Sequence, residues 1–162
     1  MRTPNILATR IDNRLIHGQV GMSWTNTLGA NLVIVANDEV AKDKLQQNLM
    51  EMALPTTVGV RFFTIEKTIK IIWKAAPHQK IFIVVKTPQD ALRLVKGGVP
   101  IKEINVGNLH YEEGKKQIAP TVSVDEDDIK VFKELDKMGI KLDVRGIPNE
   151  KGSDLMELIK DL

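Results

Sequence analysis

One short stretch of the chain concentrates the residue types that handle phosphate. It reads Thr9-Arg10-Ile11-Asp12-Asn13-Arg14-Leu15-Ile16-His17-Gly18-Gln19. Arg10 and Arg14 carry forked donors that match phosphate oxygens. His17 offers a ring nitrogen that is nucleophilic when it carries no proton. Gly18 has no Cβ, so a ligand can come close to the backbone there. The segment Val20–Leu28 reads as a helix, which puts His17 near a helix start. Free backbone N–H groups and the helix dipole favour an anion at that place. Asp12 could orient Arg14 or the imidazole, and Gln19 adds a further polar group. This set suits phosphoryl transfer through a phosphohistidine, a reaction that needs in-line positioning and stabilised charge more than elaborate bond chemistry. Residue types alone also fit a basic surface loop whose histidine merely caps a helix.

The other two histidines read differently. His110 follows a strand in Asn105-Val106-Gly107-Asn108-Leu109-His110-Tyr111 and reads as a surface or docking residue. His78 precedes a strand, at the opposite edge, and reads as structural. The three share no short spacing, so there is no metal motif. Nucleotide motifs fail as well. No Gly-x-Gly-x-x-Gly follows the first strand. Gly107 and Gly114-Lys115-Lys116 enclose six residues where a phosphate loop has four, and Lys116 stands where Ser or Thr is needed. Trp24 lies about two helical turns beyond His17 and reads as core rather than as a sugar platform.

These residues need a scaffold, and strand-like and helix-like segments alternate throughout. Strands are expected at Asn5–Thr9, Ala30–Ala36, Val58–Phe63, Lys80–Val85, Ile101–Val106, Val122–Val124 and Ile140–Val144. Helices are expected at Val20–Leu28, Glu39–Ala53, Ile65–Ala75, Pro88–Lys96, Asp125–Met138 and Ser153–Leu162. Asp38 is the expected cap of the second helix, whose apolar spacing runs through Val40, Leu45, Leu49 and Met52. Ser123 and Glu126 suggest a capping box for the fifth. Continuous apolar strands between helices predict an α/β fold. The expected form is one doubly wound, mostly parallel open sheet of about six or seven strands, with helices on both faces. One domain over 1–162 is expected, with no linker or repeat. Sites in such sheets lie beyond the carboxyl ends of the strands. That edge gathers the Arg10–Gln19 stretch, Asn37 and Asp38, Thr64, Lys86 and Thr87, and Asn108 and His110.

Composition removes other classes. There is no cysteine, so disulfides, thiolate metal sites and a Cys nucleophile are excluded. A net charge of +2 and an aromatic content of 4% argue against nucleic acid as a partner. No apolar run approaches the roughly 20 residues that span a bilayer. The start Met1-Arg2-Thr3-Pro4-Asn5 leads into a run too short for a signal-peptide core. A cytoplasmic protein is expected.

Taken together, Arg10-Ile11-Asp12-Asn13-Arg14-Leu15-Ile16-His17-Gly18-Gln19-Val20 and Trp24 resemble the signature loop of the mannose/fructose/sorbose family of phosphotransferase-system IIB components. Further similar segments follow in order: Val35–Ala41, Leu94–Gly98, Ile104–Asn108, Gly114–Ile118 and Val122–Asp125. The resemblance covers almost the whole chain. Phe62–Ile69 and Gly107–Gln117 look most like the N-acetylgalactosamine branch. The resemblance implies mostly parallel strands with one antiparallel; no cofactor is expected. It implies that His17 takes phosphate from a phosphohistidine of a IIA component through its pros nitrogen. The phosphate then passes to a sugar, N-acetylgalactosamine or a related hexose or amino sugar, held by membrane components IIC and IID. The protein would then sit at the inner face of the plasma membrane through IIC and IID, and a homo-oligomer is compatible with this.

The resemblance makes Arg14 the nearest phosphate ligand, with Arg10, Gly18 and Gln19 beside it. Asp12, Asp38, Lys86, Thr87 and Asn108 would support them. Mannose-type members tend to have Arg where this chain has Gln46, which makes Lys86 the candidate replacement charge. Two other readings use the same loop: a regulatory module in which phospho-His17 reports sugar supply, and a small-molecule binding domain with no covalent step.

Overall fold

A computed structural model describes residues 2–162; Met1, named above, lies outside them. The central strand β1 (Asn5–Asp12) lies between β4 (Lys80–Val85) and β5 (Glu103–Asn108). With β2 (Leu32–Ala36), β3 (Gly59–Phe63), β8 (Lys141–Val144) and β9 (Ser153–Asp154) they form one seven-stranded sheet, in the order β3-β2-β4-β1-β5-β8-β9. All pairings are parallel except β8 with β9. Every residue of β2 is buried, as a strand covered on both faces requires.

Helices α1 (Gly18–Leu28) and α2 (Lys44–Met52) cover one face, with Trp24 and Met50 packed on Val33, Val35, Phe82 and Val84. Helices α3 (Ile65–Ile71), α4 (Pro88–Lys96), α5 (Glu126–Lys137) and α6 (Leu155–Ile159) cover the other through Ile65, Leu94, Phe132 and Ile159. The expected doubly wound sheet with helices on both faces is the fold observed. The chain leaves β1 through α1 toward β2, whereas it leaves the neighbouring β5 in the opposite direction, toward β8. The ends of β1 and β5 therefore flank a switch point of the topology, where open α/β sheets carry their sites.

Several local expectations are corrected. The first strand does not stop at Thr9; Arg10, Ile11 and Asp12 continue it, paired with both β4 and β5. Parallel pairing on both sides outweighs the polar residue types. The fifth strand likewise runs to Asn108. Val122–Val124 is β7, but it pairs antiparallel with β6 (Lys116–Ala119) in a separate two-stranded sheet. The helix expected over Glu39–Ala53 is broken: a 3-10 turn spans Val40–Lys42, and the Asp43 carboxylate accepts the Gln46 N–H to cap α2. Asp38 therefore does not cap it. The capping box of α5 is Asp125 with Asp128, each side chain accepting the other's backbone N–H, because Ser123 is inside β7.

Candidate functional site

Asp12 is the last residue of β1, is fully buried, and uses both carboxylate oxygens. Oδ1 accepts the Arg14 backbone N–H at 3.0 Å, which turns the chain sharply after the strand. Oδ2 receives the Arg10 guanidinium at 3.0 Å and His17 Nε2 at 3.1 Å. The Leu15 N–H closes the turn on the Asp12 carbonyl at 2.8 Å. Leu15 itself has φ of 59°, a left-handed conformation unfavourable for a branched side chain. Burial of Leu15 and Ile16 among Val33, Val35 and Phe82 holds it there. Strain of this kind, enforced by packing, is characteristic of functional loops.

The same turn sets the imidazole. His17 is the N-cap of α1 in extended conformation. Because Nε2 faces a carboxylate, it carries the proton, and Nδ1 keeps its lone pair. The side chain is 22% exposed, enough for a partner to reach it. No side chain caps the first turn of α1, and no acidic residue lies in it. Its N–H groups and dipole are thus free for an anion next to His17. Gly18 has φ of 46° and open space where a Cβ would lie.

The expected phosphate ligands separate into two groups. Arg14 is exposed, and among the described residues its guanidinium has no hydrogen-bond partner, so it is free to meet a ligand. Gln19 is exposed in the first turn of α1. Arg10 is a correction: it is 3% exposed and its guanidinium is committed inside the protein. Besides Asp12 it donates to Asn105 Oδ1 at 2.6 Å and to the Arg145 carbonyl at 3.3 Å, and it lies over the Trp24 ring at 5.1 Å. Burial lowers its pKa from the ordinary value, against the Asp12 carboxylate that raises it, and the Arg14 charge nearby adds to the lowering. Arg10 therefore reaches the imidazole only through Asp12.

The supporting residues also divide. Asn108 Nδ2 donates to Asn13 Oδ1 at 2.6 Å, and the Asn13 N–H bonds the Asn108 carbonyl at 2.9 Å, so β5 braces the loop. Asn13 Nδ2 also donates to His110 Nδ1, and His110 Nε2 faces Glu112 at 3.1 Å. Lys86 follows Val85, which pairs with Ile11, and so comes level with Asp12 at the strand ends. Thr87 caps α4 by accepting the Asp90 N–H at 3.1 Å. Asp38 stands apart from His17: its carboxylate accepts the Ile65 N–H at 2.9 Å at the start of α3 and pairs with Arg93, in the last turn of α4, at 3.1 Å. It braces two helices rather than the phosphate loop. Gln46 is exposed in the first turn of α2. Trp24 is core, 6% exposed, with its indole N–H on the Gly146 carbonyl at 3.0 Å.

Residue types alone missed Asn105 and Gly107. A Cβ on Gly107 would fall inside the Arg10 guanidinium, so glycine leaves the space that Arg10 fills. The signal was a glycine inside a strand pattern, which marks a close approach. A cavity of about 590 Å³ is lined by Thr3–Thr9, Thr27, Leu28 and Pro100–Glu103, and also by Trp24, Asn105 and Arg145 of the Arg10 network; His17 does not line it. Among the described residues no His, Cys, Asp or Glu group is arranged to hold a metal, and no helix is long and apolar enough to cross a membrane.

Comparison with known proteins points to one family. Residues 6–162 match the model of the PTS system sorbose subfamily IIB component. The chain is 58% identical over 156 residues to N-acetylgalactosamine-specific phosphotransferase enzyme IIB component 2 of Escherichia coli K12, covering 96% of this chain and 99% of that one. The crystal structure of a PTS-dependent N-acetyl-galactosamine IIB component from Streptococcus pyogenes superposes with a TM-score of 0.93 at 45% identity, covering 98% of this chain and 100% of the other. The PTS system mannose-specific EIIAB component of E. coli K12 is 37% identical over 154 residues, 94% of this chain but 48% of that longer one.

Proposed function

This chain belongs to the sorbose subfamily of phosphotransferase-system IIB components, and from that premise we propose that it is the phosphocarrier of an N-acetylgalactosamine or closely related amino-sugar system, with His17 as the residue that carries the phosphate. IIB components are phosphotransferases that pass a phosphoryl group toward a sugar, and they work with a IIA component and membrane components IIC and IID. The one observation that supports His17 most is its double placement. Nε2 is held by Asp12, and the free Nδ1 belongs to the residue that starts a helix without a side-chain cap, three residues after the exposed Arg14.

The steps follow from that placement. The donor is a phosphohistidine on IIA. Nδ1 of His17 attacks its phosphorus in line, the P–N bond of the donor breaks, and the donor imidazole leaves with the electron pair. Asp12 keeps the Nε2 proton in place and stabilises the positive charge that the ring gains. Arg14 and the N–H groups of Gly18 and Gln19 receive the phosphoryl oxygens, and Lys86 supplies the charge that Gln46 does not. In the second half a sugar hydroxyl attacks the phosphorus, its proton passes to a base beside the sugar or to water, the His17–phosphorus bond breaks, and His17 leaves with the electron pair as the neutral imidazole. The whole chain acts as one domain in the cytoplasm, docked at the membrane through IIC and IID during the second transfer.

The test is reconstitution. Purified protein is incubated with phosphorylated IIA and membranes carrying IIC and IID, and sugar phosphate is measured for N-acetylgalactosamine, galactosamine and mannose. The expected result is phosphorylation of N-acetylgalactosamine or galactosamine that requires His17. Phosphate that enters the protein but leaves for no sugar would replace this reading with the regulatory one.

A further inference from the structure

We propose that α2 is the contact of a homodimer, in which two copies pack this helix against itself, antiparallel about a twofold axis. Leu45, Leu49 and Met52 are 68%, 54% and 81% exposed. Spacings of four and three put them in one stripe, and a surface helix normally turns such a stripe inward. Here the inward side is supplied by Met50, with Val40 and Leu54 from the flanking segments. The outward stripe is thus unpartnered. It is widened by the neighbouring strand β3, the edge of the sheet, whose flanking Val58 and own Val60 and Phe62 are half-buried and pack on the same core as α2.

The charges around the stripe say what covers it. Lys44 and Glu51 are both exposed and lie seven residues apart, on the same flank of the stripe. The opposite flank carries only Gln46 and Ala53, which are neutral. In an antiparallel pair centred on the helix, Leu45 meets Met52 of the second copy, and Lys44 meets Glu51 of the second copy. Twofold symmetry makes each contact twice. A parallel pair about a twofold would set this charged flank against the neutral flank of Gln46 and Ala53 and would join no opposite charges. The arrangement is therefore complementary to itself in one orientation only. One helix pair and part of an edge strand make a small interface, so the association is weak and concentration-dependent.

Sedimentation of the full chain from micromolar to millimolar concentration should show a monomer–dimer equilibrium. Leu49→Asp, with an unchanged circular dichroism spectrum, should be monomeric throughout. Lys44→Glu alone and Glu51→Lys alone should each weaken association about tenfold, since two exposed pairs become repulsive. An equal mixture of these two variants should recover wild-type association, because in the mixed dimer both pairs again join opposite charges. A wild type that stays monomeric up to millimolar concentration would overturn the proposal and leave the stripe to another protein. A dimer insensitive to Leu49→Asp, or a mixture that does no better than its components, would overturn it too.

Discussion

The two ring nitrogens of His17 have different neighbours, and the account rests on that difference. Asp12 serves His17, Arg10 and the Arg14 backbone at once. Removing its charge has two effects. Asp12→Ala leaves Arg10 buried without its counter-ion, which should cost about 3–5 kcal/mol in denaturant unfolding and slow phosphate uptake. Arg14→Ala should separate function from stability. Its guanidinium is exposed, so unfolding should be unchanged, while phosphate uptake should slow about ten- to a hundredfold, the value of one charge-assisted contact felt in the transition state. Unchanged uptake in the folded variant would show that Arg14 points away from the phosphate. Gly107→Ala tests the buried chain behind the imidazole: a Cβ there displaces Arg10, so the variant should lose about 1–3 kcal/mol of stability and transfer phosphate slowly, although residue 107 lies away from His17.

Elements decide which of these residues meet. The sequence correctly located the polar edge of the sheet, though not the last residues of its first and fifth strands, because periodicity and continuous apolar runs report burial directly. It also marked His17, Arg14 and Gly18 as neighbours, since one short loop carries all three. It did not separate Arg10 from Arg14. That distinction depends on β1 running three residues further and turning Arg10 toward Trp24 and Asn105, a register fixed by pairing with β4 and β5. It likewise took Leu45, Leu49 and Met52 as core-facing, because it could not see Asp43 restart the helix on a new rotation. Asp38 shows how a site-edge residue becomes structural. The Ile65 N–H first, and Arg93 second, hold its carboxyl below the ordinary value of 3.8. A lowered folded-state pKa gives stability that is present above that value and fades as pH falls through the folded one. Asp38→Asn should therefore melt lower than the wild type at neutral pH, by under about 1 kcal/mol because the ion pair is half exposed. The difference should shrink in acid. Asp90 has the opposite sign: burial raises its pKa, so its protonation favours the folded state and partly masks the loss in the wild-type curve.

The whole molecule presents His17 at an open strand edge, and the 590 Å³ cavity is not lined by that residue. A small-molecule site encloses most of its ligand with apolar and aromatic walls, whereas a carrier must let two different proteins reach one histidine in turn. Calorimetry of the isolated protein with N-acetylgalactosamine, galactosamine and mannose should accordingly show no binding heat at millimolar concentrations. A submillimolar dissociation constant would favour a small-molecule binding domain. The position of the phosphate after incubation with phosphorylated IIA decides whether His17 is the carrier. Mass spectrometry and phosphorus NMR under alkaline conditions should find one phosphoryl group per chain, on Nδ1 of His17, and none on a folded His17→Ala variant. Phosphate on His110, on Nε2 of His17, or on the variant at the wild-type rate would contradict the account.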